Sequence, residues 1–204
     1  MLRLVKRGVV FFLSLMGALT VAAGLWVWSN GISTRPAPGA METAIARRAR
    51  SLAIPSAIRT RTNPEASTPD ALRSGLEHYA DHCASCHAND GSGNTEVGRG
   101  LYPKAPDMRL AATQSLTDGE LFSIIRNGIR LAGMPAWGSG TPEDDLGTWG
   151  LVHFIRHLPR ISEEELDEMR QLNPRSPAEI EKEREIERFL AGERSPVGGS
   201  GHKH

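Results

Sequence analysis

The stretch Cys83-Ala84-Ser85-Cys86-His87 constrains this chain more than any other, because it holds both cysteines of the protein. A disulfide between positions so close would close a very short loop and add little stability. Thioredoxin-like exchange belongs to an α/β pattern, whereas here a capped helix precedes the pair and a glycine-rich loop follows. A structural zinc site normally takes four ligands, and the sequence has no second cysteine pair to complete one.

The C-x-x-C-H spacing instead matches covalent haem attachment. In that chemistry each thiol adds across a vinyl group to form a thioether, and the histidine that follows lies beneath the iron. The flanking sequence is consistent with this reading. Thr68 is an N-cap with Pro69 at the first helical position, and Leu72, Leu76 and Tyr79 share one face at helical spacing. Thr117 and Glu120 form a capping box ahead of Leu121, Ile124 and Ile125, and Asn127-Gly128 ends that helix. A further helix starts at Thr141-Pro142 and stops at Pro159. No stretch alternates apolar and polar residues as a strand would. The pattern predicts a small all-α domain over 68–160, with long loops at 88–107 and 131–140. Long loops need something to organise them, and large apolar side chains are few. A large apolar cofactor answers both needs.

Residues 1–28 form a separate unit. Arg3, Lys6 and Arg7 precede an uncharged apolar run from Gly8 to Trp28, roughly the 20 residues that cross a bilayer. The basic flank places the N-terminus in the cytoplasm, so the chain beyond is exported. Cleavage near Val21-Ala22-Ala23 is the alternative, and it would leave a soluble protein. Residues 29–67 read as a proline-rich linker that leaves the head free to move. Within it, residues 41–54 form either a solvated turn or a short basic helix on an anionic membrane surface. Residues 161–193 read as a charged helical extension, with Ser162 and Glu165 as a capping box and a second start at Ser176-Pro177. Residues 194–204 read as a flexible tail, whose His202 and His204 could bind copper or nickel or be merely polar. Acidic and basic side chains balance at 24 each, so the charge makes no case for nucleic acid.

Residues 68–160 resemble a monohaem class I c-type cytochrome from a membrane-anchored bacterial branch. Gly75 and Tyr79 stand where that family places a glycine and an aromatic before its haem motif. Leu151, Phe154 and Ile155 match the opposite side of the helix crossing. The resemblance implies one covalent haem c on Cys83 and Cys86, with His87 and Met134 as axial ligands. Met134 stands between Gly133 and Pro135 on a loop after a terminated helix. Its rivals are Met108 on the His87 side, Met169 beyond the domain, and His153 and His157, expected as solvated helix residues. His78 and His82 are expected at the surface. The family's proline carbonyl beside the proximal histidine corresponds to Pro106, with Pro103 as its rival. Trp137 either covers the haem edge or packs as an ordinary apolar side chain.

The fold class expected is therefore all-α: a cytochrome c-like domain around a covalent haem, with a transmembrane helix before it and an acidic helical extension after it. The function implied is one-electron transfer, without catalysis, at the periplasmic face of a bacterial inner membrane. Redox donor and acceptor proteins, such as membrane respiratory components, are the partners implied. A haem enzyme, a redox subunit of a larger membrane oxidoreductase and a metal-handling module are the alternatives.

Overall fold

The computed structural model describes residues 2–31, 33–138, 140–175 and 177–191, and every regular element among them is helical. In chain order these are α1 (Leu2–Asn30), α2 (Ala40–Ala53), α3 (Ser56–Arg59), α4 (Pro69–His78), α5 (Ala84–His87), α6 (Glu96–Gly100), α7 (Ala111–Gln114), α8 (Asp118–Asn127), α9 (Pro142–His157), α10 (Glu163–Leu172) and α11 (Pro177–Leu190). A π-helical turn over Tyr79–Cys83 joins α4 to α5, and a 3₁₀ turn over Leu158–Arg160 follows α9.

Helix α1 contains an apolar span, Val5–Ser29, with mean hydropathy 2.1, and none of it is buried among the described residues. A helix of this length and composition suits a membrane span or a signal sequence.

The domain is built on the crossing of α4 and α9. Thr68 accepts a hydrogen bond from the Ala71 N–H and starts α4. A Cβ on Gly75 would run into the Gly150 carbonyl oxygen and crowd Phe154, so the glycine is what allows the backbones to meet. Gly150 thus joins Phe154 on the far side of the crossing, while Leu151 and Ile155 turn toward a cavity beside it. Tyr79 and Phe154 are buried and pack at 5.0 Å. Phe122 of α8 stacks on Trp149 of α9 at 4.2 Å.

Two sequence-based expectations are corrected. Residues 29–67 are not a loose linker throughout. Helix α2 forms, and the stretch from Ile54 to Glu65 docks on the domain. Arg59 donates to the carbonyls of Ser51 and Ile54. Its own carbonyl accepts from the Thr117 hydroxyl at 2.7 Å. The Asn63 amide donates to the Trp149 carbonyl at 3.0 Å. The Arg61 guanidinium lies 5.2 Å from the Phe122 and Trp149 ring centres. A Cβ on Gly119 would collide with the Ile58 carbonyl oxygen.

The second correction concerns the far boundary. Met169 of α10 is fully buried in the same core as Tyr79 and Phe154, with Leu166 partly buried beside it. The domain's packing therefore continues past residue 160. His157 contacts Glu165 at 2.9 Å, and His153 Nε2 lies 3.0 Å from the Glu65 carbonyl. Both histidines are half-buried and partnered rather than solvated. Beyond α10, Ile186 and Phe189 of α11 are exposed.

Candidate cofactor site

The haem-type motif begins where α4 widens into the π turn. That turn carries Tyr79 and Cys83, and α5 carries Cys86 and His87. The loop that follows is held against the motif by its own polar groups. The Tyr79 hydroxyl donates to the Ala88 carbonyl at 3.1 Å. The Thr95 hydroxyl donates to the Cys86 carbonyl at 3.1 Å, and the Gly93 N–H donates to the His87 carbonyl at 2.8 Å. A Cβ on Gly98 would meet the Cys86 carbonyl, so only glycine permits that approach.

Opposite, the loop after α8 turns back along its own helix. Gly128 takes φ 65°, and a Cβ there would strike the backbone of Met134 to Ala136. The Ile129 N–H donates to the Met134 carbonyl at 3.2 Å, and the Trp137 N–H to the Ile125 carbonyl at 3.2 Å. Met134 is thereby pinned to the C-terminal end of α8.

Between the two loops lies a cavity of about 1060 Å³, including solvent space at its mouth. Cys83, Cys86, His87, Pro106, Met134 and Trp137, all predicted as site residues, line it together. Pro103, Met108 and His82 line it as well, so the sequence-stated rivals Pro103 and Met108 are close by. Met169 is in the core instead, and His153 and His157 are engaged elsewhere. His82 is exposed, as expected, yet it reaches the cavity wall and meets Trp137 edge-on at 5.2 Å. His78, half-buried rather than at the surface, meets His82 edge-on at 4.9 Å. His202 and His204 lie outside the described residues.

The titration behaviour of the site selects among the chemistries open to the motif. Burial pushes the Cys83 thiol up to about 12, and Cys86 adds to the effect. Such a thiol is a poor thiolate, which disfavours thiol–disulfide exchange. Among the described residues no group of three or more His, Cys, Asp or Glu gathers as a metal cluster. Burial pushes His87 down to about 4, against a smaller opposing influence of the Pro106 carbonyl. The imidazole is therefore neutral near pH 7. Its Nδ1 is buried without a hydrogen-bond partner of normal geometry, although the Pro106 carbonyl faces it. A neutral, nearly dry imidazole beside two unpaired thiols, in an apolar cavity with two thioethers, fits a haem.

Residues 70–155 match the family model described as cytochrome c oxidase, cbb3-type, subunit III. The chain carries a class I c-type cytochrome domain. The matched range includes both cysteines, His87, Pro106, Met134 and Trp137. A cytochrome c domain holds haem c covalently and serves haem-based electron transfer, so it works with redox partners.

Three features of the cytochrome domain escaped the sequence reading. The π turn leaves no residue signature distinct from an α-helix. Leu101 reaches the cavity and lies where a Cβ on Gly133 would touch it. Arg50, on α2 and outside the matched range, is also part of the cavity wall. Its placement depends on the docking of residues 54–65, which composition does not reveal.

Proposed function

We propose that this protein is a one-electron carrier with a single haem c, held through Cys83 and Cys86 and ligated by His87 and Met134. The observation that carries the reading is the convergence of these four side chains on one apolar cavity. When bound, haem supplies an iron that alternates between ferric and ferrous states. His87 is neutral near pH 7, so its ring carries a lone pair for the iron. The Pro106 carbonyl faces the other ring nitrogen and orients the imidazole. Met134 offers a thioether, which favours the reduced iron relative to a second histidine. Leu121, Ile125, Leu151 and Ile155 exclude water from the site. With His87 and Met134 both holding the iron, no coordination site would be left for peroxide or oxygen.

The apolar helix α1 supports placement on the periplasmic side of an inner membrane, by anchor or by export. Redox proteins of that membrane would be donor and acceptor. Optical redox titration of the haem-loaded protein tests the reading. A single one-electron transition with a methionine-linked band in the red is expected; rapid high-affinity cyanide binding would instead indicate an open iron and a haem enzyme. The family's description as an oxidase subunit favours one second reading, a redox subunit of a larger membrane oxidoreductase. Co-migration with other haem proteins after mild detergent extraction would support that reading over a free carrier.

A further inference from the structure

The cavity wall is chemically one-sided. Besides His87, its basic-capable side chains are Arg50, His82 and Lys104, and among the described residues no aspartate or glutamate lines it. Lys104 is exposed to solvent, and His82 sits 3.1 Å from Asp81. Arg50 differs from both. It is half-buried, and among the described residues no carboxylate or carbonyl pairs with its guanidinium. Desolvation works against its charge, with Glu120 as a partial counterweight and Arg47 opposing. Glu120 is itself committed to the Thr117 backbone N–H at 2.9 Å and lies 3.7 Å from Arg59.

An arginine keeps its proton under all ordinary conditions. A half-buried guanidinium without a partner is costly unless an anion joins it. Haem is the guest proposed for this cavity, and it carries two carboxylates on its rim. We infer that Arg50 is a positioning residue for the cofactor: from a helix that precedes the cytochrome domain, it supplies the counter-charge for a haem carboxylate. The placement is fixed from both ends of α2. Glu42 accepts a hydrogen bond from the Tyr102 hydroxyl at 2.6 Å, and Arg59 ties the carbonyls of Ser51 and Ile54. The segment between membrane helix and domain is on this account part of the haem site.

The inference rests on the haem reading, and the experiment separates the two. Haem-loaded full-length protein is compared with Arg50→Gln and Arg50→Lys by optical redox titration from about pH 5 to 8. The wild-type potential is expected to be nearly flat, because a paired carboxylate stays ionised. In Arg50→Gln an unpaired anion beside the iron favours the ferric form. The equilibrium should shift roughly tenfold at the alkaline end, about 59 mV for a one-electron couple. The shift should shrink toward acid as the carboxyl takes up a proton. Arg50→Lys keeps the charge and should stay close to wild type with a flat profile. Equal potentials and profiles in Arg50→Gln and wild type would overturn the inference while leaving the haem reading intact. Equal, pH-independent shifts in both variants would also overturn it, showing a packing role. Wild-type protein that takes up no haem would overturn both.

Discussion

At the residue scale, two methionines share one cavity and differ in how they are held. Met108 is almost fully buried, and its N–H donates to the Gly91 carbonyl at 2.8 Å within the loop that also carries Pro106. Met134 is only half-buried and sits on a loop that returns along α8. On the proposed ligation, Met134→Ala removes the methionine-linked absorption in the red and lowers the potential, whereas Met108→Leu keeps both. Optical spectra and redox titration of the two variants decide it; persistence of the band in Met134→Ala would transfer the role to another side chain. That Met134 reaches the cavity was legible in the sequence, because a thioether between glycine and proline, after a helix stop, has few structural uses. The choice of Pro106 over Pro103 came from the family resemblance rather than from local chemistry, since both prolines belong to the same short loop. Only the folded backbone shows which carbonyl faces His87.

At the scale of elements, the helix starts were legible and the contacts between helices less so. Thr68, Thr117 with Glu120, and Ser162 with Glu165 all make the capping bonds their sequence patterns promise. Capping is local, so a local pattern reveals it. The burial of Met169 is not local. Charged residues flank it in sequence, and it is buried only because α10 folds back onto the π turn and α4. Met169→Ala should cost about 2–5 kcal/mol by the usual cavity penalty, measured as a lower urea midpoint of the holoprotein. A solvated α10 would show almost no change. Gly75→Ala should destabilise by about 1–3 kcal/mol through overpacking, because the new methyl meets backbone rather than a side chain that can move.

The His157–Glu165 contact gives α10 a pH dependence. Burial alone would raise the Glu165 carboxyl. Hydrogen bonds from His157 and from the Ser162 backbone overcome that and hold it below the ordinary carboxylate value of 4.5. A carboxyl depressed in the folded state stabilises at pH above its unfolded value, and that stabilisation is lost as pH falls through the folded one. Wild type and Glu165→Gln should therefore differ in α10 protection near neutrality and converge in acid. Hydrogen exchange of the α10 amides at several pH values measures this. A gap that persists unchanged in acid would exclude the carboxylate as its source.

At the scale of the whole molecule, the stretch from Ile54 to Glu65 belongs to the folded head. Its docking rests largely on backbone carbonyls, those of Ile58, Arg59, Trp149 and Glu65. Carbonyls are present at every residue, so composition carries no trace of this interface, and prolines there suggested a free linker. Brief trypsin treatment should cut after Arg35 well before Arg59 or Arg61, since only the latter two are engaged with the domain. Gly119→Ala, which pushes a methyl against the Ile58 carbonyl, should open Arg59 and Arg61 to cleavage. Early cutting at Arg59 in the wild-type protein would restore the loose-linker picture.

With α1 in a bilayer, this docking resets the length of the leash. The tether then spans only the interval from the end of α1 at Asn30 to the start of α2 at Ala40, instead of 31–67. A flexible chain's root-mean-square reach grows with the square root of its length, so it falls from about 34 Å to about 17 Å. The volume the head can search shrinks roughly eightfold, and a partner inside it is met at correspondingly higher effective concentration. A chain anchored in this way would trade range for encounter frequency: redox neighbours close to the anchor would be met often, and more distant ones would fall out of reach.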